Sequence, residues 1–312
     1  MKLLRLVPPD TKIPFTSFRG IAFVASGALA VVSIVLALIA GLNYGIDFRG
    51  GTLIEIQDQR GPADIAVLRG TLGGLGLGDV QIQEFGAPSD VLIRIEQQPG
   101  GDDAQQQVIA RIKEAIGSAV EYRRVEIVGP KVSSELIISG AIAVVVAILS
   151  VLVYIWFRFE WQFSVGAVAA LVHDIVITVG MFSALQLEFN LSIIAALLTI
   201  VGYSLNDTVV VYDRVREELR RYKQMALPEL LDLAVNRTLS RTTMTSFTTL
   251  LALLALYTFG GEVIRGFTFA MIWGIVIGTY SSIFVASSLL LYLGVKRDWS
   301  KAAGAASGAG AS

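Results

Sequence analysis

The stretch Val201-Gly-Tyr-Ser-Leu-Asn-Asp-Thr-Val-Val-Val-Tyr-Asp-Arg-Val-Arg-Glu-Glu218 changes character half-way along. Its first half continues an apolar run that begins near Leu191, and its second half is charged. The pattern predicts a helix that leaves a membrane and reaches water at about Asp213. Asp207 lies one and two-thirds turns earlier, about 9 Å deeper at the rise of an α-helix. A carboxylate at that depth is costly unless it faces a cavity or a partner, which makes Asp207 a functional candidate. The plainer reading is a structural carboxylate satisfied by a neighbouring helix. The small or polar residues Gly202, Ser204, Asn206 and Thr208 would permit that packing.

Composition supports the membrane reading. The chain has 312 residues, of which 54% are hydrophobic and 16% charged, a balance rare in soluble domains. The net charge of −1 comes with no basic stripe or aromatic platform, so nucleic acid is not an expected partner. The absence of cysteine removes disulfides, thiolate chemistry and cysteine-ligated metals. His173 is the sole histidine, so a multi-histidine metal site within the chain is excluded. No metal and no organic cofactor is expected.

Working outward, residues 1–19 carry Lys2, Arg5, Lys12 and Arg19, with Pro8, Pro9 and Pro14 against a long helix. The first apolar span covers 20–42 and is long enough to cross about 30 Å of hydrocarbon. It is longer than a usual signal-peptide core and lacks a clear cleavage site, so it is read as an uncleaved helix. Residues 43–133 differ in kind. Thr52–Gln57 alternates as a half-buried strand, Pro62–Leu75 reads as a helix, and Val80–Phe85 alternates again. Ala87–Asp90 reads as a turn and Val91–Glu96 as a third strand. Asp102–Ile116 is an amphipathic helix and Val120–Val128 a fourth strand. The order βαββαβ is that of a ferredoxin-like α+β domain. Five more spans follow at 134–157, 162–185, 190–212, 242–259 and 266–293. The charged, amphipathic segment 213–241 lies between the fourth and fifth spans. Its Leu219, Tyr222, Leu227, Leu230, Leu231 and Leu233 are candidates to cover a membrane surface or a partner. The tail 294–312 ends in Ala, Gly and Ser alone and is expected to be disordered.

Short loops fix the predicted orientation, because Lys and Arg in them stay cytoplasmic. The N-terminal segment, Arg158, Arg214 to Arg241 and the end with Lys296, Arg297 and Lys301 all fall on one side. Six spans then place both termini in the cytoplasm and residues 43–133 outside.

Three motifs coincide with this plan: Tyr44-Gly-Ile-Asp-Phe-Arg-Gly-Gly-Thr52 after the first span, Gly-Tyr-Ser-Leu-Asn-Asp207 with Val-Tyr-Asp-Arg-Val-Arg-Glu217 in the fourth, and Arg237-Thr-Leu-Ser-Arg-Thr-Thr-Met-Thr-Ser246 before Phe259-Gly-Gly261. Together with six spans and one large external loop they resemble the SecF members of the SecD/SecF family, within the RND superfamily. The resemblance covers roughly residues 15–295. It implies an RND-type six-helix half that pairs with SecD in the bacterial cytoplasmic (inner) membrane. It also implies use of the proton-motive force, with protons as the coupling ion, to move preproteins out of the SecYEG channel. The translocating preprotein and membrane lipid are then partners, with YajC and YidC as further candidates. The earlier pushing would belong to the ATPase SecA, and this chain would be a transport subunit and not an enzyme.

On the same footing, the resemblance implies a proton relay of Asp207 and Arg241. The residues themselves are compatible: Arg241 opens the fifth span on the side where the fourth ends. A carboxylate that alternates between dry and cation-paired surroundings can load and release a proton. The plainer reading of Arg241 is an interfacial side chain reaching headgroups. Asn206 and Ser204 are candidates to support Asp207, and Thr242, Thr245, Thr248 and Thr249 add hydroxyls able to order water there, although hydroxyls in membrane helices usually bond helix to helix. His173 and Asp174, mid-way along the third span, are either a proton shuttle or a buried pair holding helices together. Asp213 reads better as a charged helix end. Gly45, Gly50 and Gly51 are the expected hinge between the first span and the external domain. No Lys-Ser/Thr follows the Gly-Gly pair, so a phosphate loop is rejected. Three rival readings remain at this stage: an intramembrane aspartyl protease, which lacks its second motif; half of an RND exporter of small molecules; and a passive scaffold around the channel.

Overall fold

A computed structural model describes Pro8 and residues 11–295. The predicted disordered tail, the cluster Lys296, Arg297 and Lys301, and Lys2, Arg5 and Pro9 lie outside those residues. A 3-10 turn at Phe15–Phe18 leads into α1 (Arg19–Ile39). The external domain then runs through β1 (Asn43–Tyr44), α2 (Ile46–Arg49), β2 (Gly51–Asp58), α3 (Ile65–Gly73), β3 (Val80–Phe85), β4 (Ala87–Ile95), α4 (Gly101–Ile116) and β5 (Val120–Val128). Next come α5 (Pro130–Arg158), α6 (Trp161–Leu185), β6 (Glu188–Phe189), α7 (Leu191–Arg221) and α8 (Leu227–Phe259). The last span is α9 (Arg265–Ser281), a π-helical turn (Ser282–Ala286) and α10 (Ser287–Leu293). Among the described residues, 6 helices are long and apolar enough to cross a membrane.

The external sheet has the order β3-β4-β2-β5 with antiparallel neighbours, the strand order of the ferredoxin-like fold. One face carries Ile54, Ile56, Ile82 and Ile93, which pack with Leu72 of α3 and Val108 and Ile112 of α4. The predicted half-burial of β2 is corrected. Gly51–Ile56 is buried without a break, because Leu53 on the second face packs with Ile46, Leu92, Phe85 and Val128. That second face looks onto the outer ends of the spans across a cleft of about 500 Å³ that also reaches Leu187, Tyr257 and Phe267. Two boundaries also move. Ala87–Asp90 belongs to β4, and the tight turn is at Gly86, with φ of 89°. The helix expected from Pro62 starts at Ile65, because the Asp64 carboxylate accepts from the N–H groups of Ala66 (3.0 Å) and Val67 (3.1 Å) and caps it.

The segment 213–241 is not a separate element. It is the continuation of α7 to Arg221 and the start of α8 at Leu227, joined by residues 222–226. At 31 and 33 residues these helices are about 46 and 50 Å long, well beyond the hydrocarbon thickness, and they leave the membrane together as a hairpin. No Gly or Pro interrupts 213–221, and Pro228 sits in the first turn of α8, where its missing N–H costs nothing. Leu219, Leu230 and Leu231 turn inward. They pack with Tyr212, Val215, Ala234 and Val235 against Phe15 and Phe163, with Tyr222 and Leu227 at the margin. They are therefore core residues of this chain rather than a lipid or partner surface. The N-terminal segment docks on the same hairpin. Thr16 donates from its N–H and its hydroxyl to Asp232 at 2.8 and 2.9 Å, and Ile13 exchanges two hydrogen bonds with Asn236.

The joint between arm and bundle has its own fastenings. β1 pairs in parallel with β6, setting Asn43 against Glu188 and Tyr44 against Phe189. Arg94 of β4 forms an ion pair with Glu188, and the Asp47 carboxylate accepts from Leu191 N–H at 2.8 Å, at the first residue of α7.

Candidate functional site

α6 and the last span are the most enclosed helices, while α1, α5 and α8 present most of their surface outward. Lipid tails offer no hydrogen bonds, so a polar side chain in such a bundle has to find its partner inside. Asp207 does so from the middle of α7, where it is 6% exposed. Its Oδ1 accepts from Thr242 Oγ1 of α8 at 2.6 Å, and its Oδ2 accepts from Ser282 Oγ of the last span at 2.7 Å. Three helices thus meet at one carboxylate.

Arg241 sits one residue before Thr242 and is exposed. It makes no direct bond to Asp207, although the next residue, Thr242, does. It lines a cavity of about 590 Å³ with Val210, Asp213, Arg214, Glu217 and Arg237, at the end of the bundle where α7 and α8 leave the membrane. Asp213 is exposed and bonds Arg158 at 3.0 Å, which suits a charged helix end.

Of the residues expected to support Asp207, Thr242 bonds it, while Asn206, Ser204, Thr245, Thr248 and Thr249 do not. Asn206 is exposed on the other side of α7, because adjacent positions on a helix differ by about 100°. Thr245 is exposed and returns its hydroxyl to the carbonyls of Arg241 (2.8 Å) and Thr242 (3.0 Å) of its own helix. Ser204 is buried, but it points to a different carboxylate: it donates to Asp174 Oδ2 at 2.7 Å. Asp174 of α6 also accepts from Ser281 Oγ at 2.8 Å and lies 3.0 Å from His173 Nδ1. The bundle therefore contains two buried carboxylate sites, not one site with a supporting shell. Ser281 and Ser282 were missed in the sequence. The signal available was the hydroxyl run Thr279-Tyr-Ser-Ser282 inside an otherwise apolar span.

At the expected hinge, Gly50 and Gly51 have φ of 73° and 118°, and a Cβ on Gly51 would lie 2.3 Å from the Ile95 carbonyl oxygen. Both positions require glycine. Gly45 has ordinary backbone angles, and its bareness instead admits the Glu188 carboxylate, 2.6 Å from where a Cβ would stand.

The family described as protein export membrane protein SecD/SecF, C-terminal, matches residues 108–296, and the SecD/SecF GG motif matches residues 35–57. The chain belongs to the SecD/SecF family. Protein translocase subunit SecF of Cereibacter sphaeroides is 48% identical, over 96% of this chain and 94% of that one. The same subunit of Rhodobacter capsulatus is 46% identical, with the same coverage of both. The crystal structure of SecDF from Thermus thermophilus, titled a translocon-associated membrane protein, superimposes with a TM-score of 0.82 at 36% identity. It covers 92% of this chain, which corresponds to 39% of that longer one. The protein is thus a multi-pass membrane protein of a protein-transport family, with a six-helix half of the RND type and one α+β domain. The second glycine of the family's GG motif is Gly51, the residue whose side chain the Ile95 carbonyl forbids.

Proposed function

We propose that this chain is the SecF-type half of a SecD–SecF pair in the bacterial cytoplasmic membrane, and that Asp207 carries the protons that drive it. The observation behind this reading is the environment of Asp207. It is a membrane-buried carboxylate held only by hydroxyls, with Arg241 next to its donor Thr242 but not bonded to it. A carboxylate locked to arginine would stay ionised. One held by hydroxyls accommodates both protonation states, because Ser282 has a second acceptor, the Thr279 carbonyl at 3.0 Å, to which it can turn. Protons enter from the outer side and leave to the cytoplasm past Arg241 through the charged cavity. Each proton crossing 100 mV releases about 2.3 kcal/mol, enough to bias a two-state equilibrium about fifty-fold. That bias swings the external domain about its joint at residues 45–52 and opposes backward sliding of a preprotein emerging from SecYEG.

The Thermus comparison, in which this chain matches a minor part of one SecDF chain, supports the SecD partner. Co-purification in mild detergent tests it, and a fully active form free of SecD would refute it. The orientation, with both termini cytoplasmic and residues 43–133 periplasmic, is checked by a reporter that fluoresces only in the cytoplasm. It lights after Lys301 and stays dark near Gly100. Asp207→Asn tests the mechanism: complexes assemble normally, and proton-dependent stimulation of export is abolished. Arg241→Lys keeps part of the activity, since charge survives but the planar fork does not. Stimulation that persists in Asp207→Asn vesicles under an imposed gradient overturns the carrier role and favours a scaffold.

A further inference from the structure

Asp174 is a buried carboxylate that the path through Asp207 does not use. It is 1% exposed, and among the described residues it pairs with no lysine or arginine. Its polar neighbours come from three elements: His173 beside it on α6, Ser204 on α7 and Ser281 at the end of α9. The residue after Ser281 is Ser282, the donor to Asp207. Adjacent residues on a helix point about 100° apart, so the last span, wedged between α6 and α7, addresses one carboxylate on each with neighbouring hydroxyls.

Two further features set this dipeptide apart from ordinary helix glue. The helix passes into a π-helical turn at Ser282, a rare geometry that is frequent at functional sites. Each serine also has one proton and two acceptors. Ser281 Oγ is 2.8 Å from Asp174 and 3.2 Å from the Gly278 carbonyl, and Ser282 Oγ is 2.7 Å from Asp207 and 3.0 Å from the Thr279 carbonyl. The hydroxyl donates to an ionised carboxylate and turns to the helix carbonyl when the carboxyl itself becomes the donor. A third observation is His173 Nε2. It is buried and, among the described residues, has no hydrogen-bond partner, in a side chain that is 9% exposed. The nearby Tyr280 ring is 6.2 Å from the imidazole, and its hydroxyl is engaged with Ser26 and the Ala22 carbonyl.

We propose that Asp174 is a second proton-binding carboxylate and that Ser281 and Ser282 couple it to Asp207, so that the pair loads and unloads together. This rests on the proton-carrier reading of Asp207 and extends it. Each carboxylate takes one proton from water and returns it, with no other bond made or broken. Arg241, next to the donor Thr242, acts on Asp207, and His173 acts on Asp174. The serines turn between carboxylate and carbonyl as the charge changes, and the π turn is the part of the last span that moves with them.

The test is infrared difference spectroscopy of the full chain, reconstituted with its partner in vesicles and stepped between acidic and alkaline pH. The part of the carboxyl C=O signal that Asp207→Asn and Asp174→Asn together remove is expected to come from two groups that titrate as a coupled pair in the wild type, and Asp174→Asn alone removes about half of that part. Ser281→Ala and Ser282→Ala each leave the full signal but split the coupled titration into independent single steps. Ser282→Thr, which keeps a hydroxyl, restores the coupling. An Asp174→Asn spectrum that superimposes on the wild type overturns the proposal, as do serine-to-alanine titrations that keep the wild-type shape. The serine variants keep both carboxylates, so they decide the question even if Asp174→Asn does not assemble. The underlying carrier reading fails separately, if gradient-driven export survives Asp207→Asn.

Discussion

The external domain and the bundle are built on opposite plans. In the domain, isoleucines, leucines and valines fill the centre, and charged pairs such as Arg60–Asp58 and Arg124–Glu126 lie at the surface. In the bundle, Ile21, Leu38, Phe157 and Phe259 face outward, while Ser204, Ser281, Ser282, Asp174 and Asp207 are buried where the helices meet. Water drives the first arrangement, because burying apolar area is favourable. Lipid gives no such drive between helices, so the second rests on close packing and internal hydrogen bonds. The domain's interior therefore serves mainly stability, and the bundle's interior is available for chemistry.

The largest effect that would test this contrast is expected at the joint. Gly51→Val places a side chain on a left-handed backbone and into the Ile95 carbonyl, and should cost about 5 kcal/mol. Protease resistance of the domain in the full chain measures it, and near-normal resistance would mean the sheet edge yields more than its geometry suggests. Ile93→Ala, at a site with 0% exposure, should lower domain stability by about 3 kcal/mol. Export should then fall only in step with the folded fraction, and a larger loss would give this core a direct role.

Thr242→Val is the counterpart in the bundle. It keeps the shape and removes the donor to Asp207 Oδ1, at a cost of about 1–3 kcal/mol. Assembly should persist while gradient-driven export drops sharply, as vesicle assays would show. Equal losses of assembly and export would erase the distinction between the two interiors.

The smallest effect concerns the joint's pH response. Burial pushes the Glu188 carboxyl above its ordinary range, with Arg94 pulling the other way. A docked carboxyl that holds its proton more tightly than a free one favours docking at low pH, and loses that contribution as pH rises through its docked value. Hydrogen-exchange protection of Asn43–Tyr44 should therefore increase modestly as the side carrying the α+β domain is acidified. Glu188→Gln should flatten the dependence, and an unchanged slope would locate the titrating group elsewhere.

How far the sequence could be read differs between the two regions for a physical reason. β3 and β5 begin and end where alternation predicts them, because a strand's period is a local property. β2 departs from its half-buried pattern because Ile46, Phe85, Leu92 and Val128 pack with Leu53 on its second face. That Asp207 needs a partner was also legible, and it is enclosed by other helices at 6% exposure. The partners of Asp207 were less so. Thr242 stood among several threonines of one helix, and nothing local distinguished it from Thr245. Ser282 lies 75 residues away along the chain.

By itself the sequence determined the spans, the α+β insertion and the family, since each depends on composition, period or motif within one segment. Tertiary structure alone decided that Arg241 stands off from Asp207, that Ser204 serves Asp174, and that neighbouring serines on the last span reach both carboxylates. Those facts depend on the rotation of each helix about its axis. In a bundle of uniformly apolar helices, that rotation is set by packing against the other helices and not by any pattern within one of them.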